Sequence, residues 1–188
     1  IARESSATVA LTGDEAAFKS DWDSFSADVK GEYSVTEPDL SFALESVPAP
    51  AFTFDTDSAM RIVRGLYAAP HGVLSMSADI PGLVETSTNL ASVKMGDDNT
   101  IIVGTSQRSS IESCKNMIAN QVASVFKLAG AHVTHGDGYP GWAPNPDSKI
   151  LKVAQETYKR LFNKEPKIMA IHAGLECGLF LEKYPNLD

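Results

Sequence analysis

The sequence predicts an α+β sandwich over its first 135 residues, followed by a stretch of α/β character. Three observations carry this reading. VETSTNLASVKM (84–95) and TIIVGTSQR (100–108) flank the turn-rich Gly96-Asp97-Asp98-Asn99 and read as an antiparallel hairpin. Apolar residues recur at helical spacing on both sides of that hairpin. Residues 136–148 then place three glycines and three prolines in thirteen positions, the composition of a linker or an ordered connecting loop.

Taken in order, ATVAL (7–11) alternates as a half-buried strand does. Asp14 is placed to cap a helix carrying Phe18, Trp22, Phe25 and Val29 on one face, with Gly31 as its C-terminal stop. DLSFALESV (39–47) is a second strand candidate, and PAPAF (48–52) is too proline-rich to extend it. Asp57 or Ser58 would open a helix with Ile62, Val63, Leu66 and Tyr67 inward, ended by Pro70. After the hairpin, Ser109-Ser110-Ile111-Glu112 has the spacing of a capping box. It introduces a long helix with Ile111, Cys114, Ile118, Val122, Val125 and Phe126 inward, closed by Gly130. AHVTH (131–135) reads as one more short strand. Beyond the Gly/Pro break, Ser148 caps a helix carrying Ile150, Leu151, Ala154, Tyr158, Leu161 and Phe162, and KIMAIH (167–172) follows as a strand. There is no internal repeat.

A chain of 188 residues with 43% hydrophobic content is long enough for a proper core. Its net charge of −8 speaks against nucleic acid or an anionic membrane as the main partner. No apolar run reaches the roughly 20 residues that span a bilayer. The two cysteines, Cys114 and Cys177, make no disulfide framework and read as reduced thiols of a cytoplasmic protein. The chain begins with Ile1 and ends at Asp188 in KYPNLD, which reads as an excerpt of a larger protein.

Candidate chemistry is sparse. His132 and His135 in HVTH fall on opposite faces of a strand, which argues against a shared metal. Cys177 lies near His172 without the local signature of a cysteine hydrolase, and a small buried thiol is the simpler reading; a thiol hydrolase is the alternative. Arg108 ends a strand, either as a surface arginine or as a clamp that binds a carboxylate bidentately. Asn89 sits among Thr86, Ser87 and Thr88, either on a solvated sheet face or hydrogen-bonding a ligand. In IHAGLECGLF (171–180), glycines bracket Glu176 just after a strand end. Open α/β sheets bind ligands at such an edge, so His172, Gly174 and Glu176 join the candidates beside the plainer reading of a sharp turn. No Walker A loop, G-x-G-x-x-G, H-E-x-x-H or paired C-x-x-C is present, and no complete catalytic set can be assembled.

Longer stretches carry a resemblance. HGVLSMSADIPGLVETSTNLASV (71–93), QRSS (107–110), GYPGWAPNPDS (138–148), ETYKRLFNKEP (156–166) and IHAGLECGLFLEKYP (171–185) resemble the aminoacyl-histidine dipeptidases, the Xaa-His dipeptidases or peptidase D group. These belong with the di-zinc metallopeptidases that include carnosinases and glutamate carboxypeptidases. IARESSATVAL (1–11) is similar to the family's I-P-R-E-x-x-A strand, with Ala2 in place of proline. The resemblance implies a lid domain, an α/β sandwich with a four-stranded antiparallel sheet that mediates homodimerisation, over residues 1–135. Residues 136–188 would return into the catalytic domain. It implies two zinc ions in the parent enzyme, held by residues outside this stretch, so the excerpt alone would be inactive and free of zinc. It also implies substrate-binding roles for Arg108, which would grip a dipeptide carboxylate in the partner's active site, for the Gly174–Glu176 loop with His172, and more weakly for Asn89. Relatives vary at the Glu176 position. The alternative is a non-catalytic dimerisation or ligand-binding module.

Overall fold

The computed structural model describes residues 3–145, 147–172 and 176–187. Contacts divide the chain into two compact units, Glu4–Asp55 and a second unit of Thr56–Asp188 with Ile1–Arg3.

The smaller unit is built on one helix, α1 (Glu15–Glu32). Asp14 caps it as expected, its Oδ1 accepting from the amides of Ala16 (2.8 Å) and Ala17 (3.3 Å). The helix does not stop at Gly31; it runs to Glu32 and ends on Tyr33. Residues 7–11 and 39–47 are not strands. Alternation makes a segment suitable for a sheet, but a strand exists only when a neighbour satisfies its backbone. Instead, Phe42 of the second segment packs on the helix, its ring centroid 6.0 Å from Trp22 and 6.2 Å from Phe25, both near edge-to-face.

In the larger unit, α2 (Thr56–Ala68) leads through Pro70 into β1 (Gly72–Met76), then β2 (Val84–Met95), β3 (Ile101–Ser109) and α3 (Glu112–Leu128). The strands form an antiparallel sheet in the order β1-β2-β3. The hairpin is as expected: Met95 pairs with Ile101 and Thr86 with Ser109, with one bulge between Leu90 and Ser92. Its turn is closed by the Gly96 amide on the Thr100 carbonyl (2.8 Å), with Asn99 at φ 62°. β1 was not legible in the sequence, and residues 131–135 do not form a strand, so the sheet has three strands among the described residues rather than the four the resemblance implies.

α3 supplies the core. Ile118, Val122 and Ala123 are buried, with Ile118 fully enclosed. Cys114, Val125 and Phe126 are half-buried on the same face, while Ile111 is left exposed. The capping box does not form: Ser109 Oγ accepts the Ile111 amide (3.0 Å), and the helix starts at Glu112 without a side-chain cap. On α2 the inward side is Ile62, Gly65 and Leu66, continued by the buried Ala69 just past its end, and Tyr67 and Val63 face solvent. A Cβ at Gly65 would come 3.2 Å from that of Ala129, so glycine lets α2 lie close to the end of α3.

The chain then runs without regular structure to α4 (Lys149–Phe162). Ser148 caps this helix, its Oγ accepting from the Leu151 amide (3.1 Å), and Asn163 closes it in the left-handed region at φ 49°. No residue of α4 is buried. Lys167–Ile171 is not a strand, for the same want of a pairing neighbour. The last element is α5 (Glu176–Lys183), where an irregular loop was expected.

Candidate functional site

The site is built where β2 and β3 run side by side. Ser87 lies directly opposite Arg108, and Asn89 opposite Ser106. Because side chains alternate along a strand, Ser87, Asn89 and Arg108 share one face of the sheet. The other face carries Thr86, Thr88 and Ser109, which are buried. Thr86 Oγ1 and Ser109 Oγ are 2.9 Å apart, and Gln107 Nε2 donates to Thr88 Oγ1 (3.1 Å). The threonines are therefore not part of a solvated sheet face, as the polar run implied, but hydrogen-bonded groups inside the unit.

His172 is brought to the other face. Its Nε2 lies 2.7 Å from Ser87 Oγ, across 85 positions of sequence. Burial lowers the pKa of this imidazole, and the neighbouring Arg108 guanidinium lowers it further; a hydrogen bond to the Val84 backbone acts in the opposite sense. The ring is thus held toward its neutral form. Arg108 itself is exposed, and among the described residues no carboxylate forms an ion pair with it. Asn89 Oδ1 is buried and has no hydrogen-bond partner among the described residues.

A second set of contacts positions the C-terminal part of the chain beside this strand end. Glu112 Oε2 accepts the Gly141 amide (3.2 Å) and pairs with Lys115 Nζ (2.9 Å), which donates to the Tyr139 carbonyl (2.6 Å). The lysine hydrogen bond holds the Glu112 carboxyl below its usual range, with burial opposing and the Gly141 amide adding to it. A Cβ at Gly141 would fall 2.9 Å from the carbonyl oxygens of Ser109 and Ser110. Gly178 of α5 lies against Pro140 and Gly141 in turn.

Of the residues singled out in the sequence, Arg108, His172 and Asn89 come together on one side of the hairpin. Glu176 is the exposed first residue of α5, where its charge suits the helix N-terminus, rather than part of a loop. Gly174 lies outside the described residues. Cys177 is exposed, not the buried thiol expected, because the face of α5 that packs inward is that of Gly178. His132 and His135 are exposed on the irregular segment after α3. Ser87 is the participant that sequence reasoning missed: it stood in the polar run as an ordinary hydroxyl, and only the fold brings His172 to it.

No family model matches the chain. The sequence is 39% identical over 189 residues to the cytosol non-specific dipeptidase of Escherichia coli (strain K12), covering 100% of this chain and 39% of that protein. The chain is homologous to part of a dipeptidase. The solved structure of the aminoacylhistidine dipeptidase from Vibrio alginolyticus superposes with a TM-score of 0.84 at 35% identity, over 92% of this chain and 35% of the other. The chain therefore spans little more than a third of these dipeptidases. The expected resemblance and the mixed α/β class both stand. Among the described residues, no helix is long and apolar enough to cross a membrane.

Proposed function

We propose that this chain supplies the substrate-carboxylate site and the dimer-forming surface of a zinc-dependent dipeptidase that cleaves Xaa-His and other dipeptides in the cytoplasm. In this reading residues 1–135 are most of its lid and 136–188 lead into its catalytic domain. The single observation that carries it is the exposed Arg108 guanidinium, free of any carboxylate among the described residues, beside an imidazole held toward neutrality. A planar guanidinium binds a carboxylate through two parallel hydrogen bonds. A neutral imidazole beside it adds no second full charge to desolvate. Homology to two dipeptidases makes the C-terminal carboxylate of a dipeptide the natural ligand for that guanidinium.

The described residues do not fit zinc. No group of three or more His, Cys, Asp or Glu side chains among them could hold a metal ion. The zinc proposed for the parent enzyme is therefore assigned to other parts of the protein. What these residues do is bind and orient. In the full-length protein, Arg108→Ala is expected to lower kcat/KM for a dipeptide by about 100-fold, the loss that follows when a bound substrate slips by about an ångström. Unchanged turnover would refute the clamp.

One observation also favours the second reading, a dimerisation or ligand-binding module without chemistry. Val93 and Met95 lie exposed on one face of the hairpin near its tip, an apolar surface suited to self-association. Sedimentation equilibrium tests the dimer-forming surface: a monomer at micromolar concentration would remove the dimerisation part of the proposal and any reach of Arg108 into a partner's active site.

A further inference from the structure

Ser87 has a role that neither the homology nor the carboxylate clamp assigns. It stands directly across the hairpin from Arg108, on the same sheet face, and its hydroxyl is 2.7 Å from His172 Nε2. A hydroxyl can donate or accept, so it satisfies that nitrogen in either tautomer. Ser87 on β2 is thus the side chain that fixes the ring, and without it the ring can turn. Lys167–Ile171 forms no strand that would otherwise register this segment against the sheet.

We propose that Ser87 is a positioning residue: its hydroxyl locks the His172 imidazole beside the Arg108 guanidinium, so that the ring keeps the surroundings of that guanidinium in shape for a substrate carboxylate. This rests on the reading of Arg108 as the carboxylate clamp. Ser87 acts through His172 and sets affinity for the charged end of the substrate. Its effect belongs in KM rather than kcat.

The test uses the full-length protein with a dipeptide and the same dipeptide as its C-terminal amide, which lacks the carboxylate. Ser87→Ala is expected to raise KM for the free acid about tenfold, the cost of one hydrogen bond to a partly buried ring, with kcat within twofold. KM for the amide should not move. Ser87→Thr, which keeps the hydroxyl, should restore KM for the free acid. In a His172→Gln background, Ser87→Ala should add nothing. An unchanged KM in Ser87→Ala, or an equal rise for acid and amide, overturns the positioning role, while loss of acid-over-amide preference in Arg108→Ala keeps the clamp itself standing. If Arg108→Ala retains that preference, the clamp falls and the positioning role with it. Should the alanine variant not fold, Ser87→Cys replaces it. Cysteine is nearly isosteric with a weaker hydrogen bond, and a raised KM for the acid alone supports the proposal while a wild-type KM overturns it.

Discussion

The hairpin with α3 and the helix α4 belong to the same compact unit and are built in opposite ways. α3 has Ile118, Val122 and Ala123 enclosed against the sheet, and even its polar neighbours Thr86, Thr88 and Ser109 are buried. α4 has a cleaner apolar stripe and better ends, with Ser148 at one and the left-handed Asn163 at the other, yet none of its residues is buried. α3 starts without a side-chain cap and is held by what it touches; α4 is held by its own ends and propensity. Capping is a local transaction between neighbours in sequence, whereas burial needs a second surface.

That contrast can be broken by mutation. The largest effect is expected in α3: Ile118→Ala removes a fully enclosed side chain and should destabilise the unit by about 3 kcal/mol, read from urea unfolding followed by circular dichroism. A loss below about 1 kcal/mol would mean that the core lies elsewhere. Ser148→Ala should cost about 1 kcal/mol, seen as reduced amide protection confined to the first turn of α4, with α3 unaffected. If protection falls in both helices, the two regions are coupled more tightly than their burial implies.

The smallest effect links the regions through His172. Its folded pKa is depressed, first by burial and then by Arg108, below the ordinary imidazole value of about 6.5. The unfolded chain therefore takes up this proton more readily. The stability tied to the neutral ring is fully present above about pH 6.5 and is lost as pH falls through the depressed folded value. Comparing the wild type with His172→Gln over that window isolates this contribution, since the glutamine variant lacks the slope. A wild-type stability that rises on acidification relative to the variant would reverse the sign and contradict the environment described for the ring.

What could be read from the sequence follows the same division. The four capped or periodic helices α1, α2, α3 and α4 were legible because their signals lie within one or two turns. The β2–β3 hairpin was legible because its turn and both strands are contiguous. The segments 7–11, 39–47, 131–135 and 167–172 carry strand-like patterns, but a strand is a relation between two stretches and the pattern of one does not supply the other. β1 was missed for the converse reason: Gly72–Met76 is five residues long, and its pairing with β2 defines it more than its own sequence does. At the site, Arg108 and Asn89 could be nominated by type and position. The bond between Ser87 and His172 could not, because it joins residues 85 apart whose meeting depends on the whole unit.

Gly141 sits flush against the carbonyl oxygens of Ser109 and Ser110, where not even a methyl group would fit. The backbone leaving the Gly/Pro-rich stretch is therefore seated on the very end of the strand that carries Arg108. A displacement of the C-terminal helices carried by this glycine would press on the strand end one residue from Arg108. Whatever machinery moves that end of the chain has a short mechanical lever on the residue that would meet the substrate.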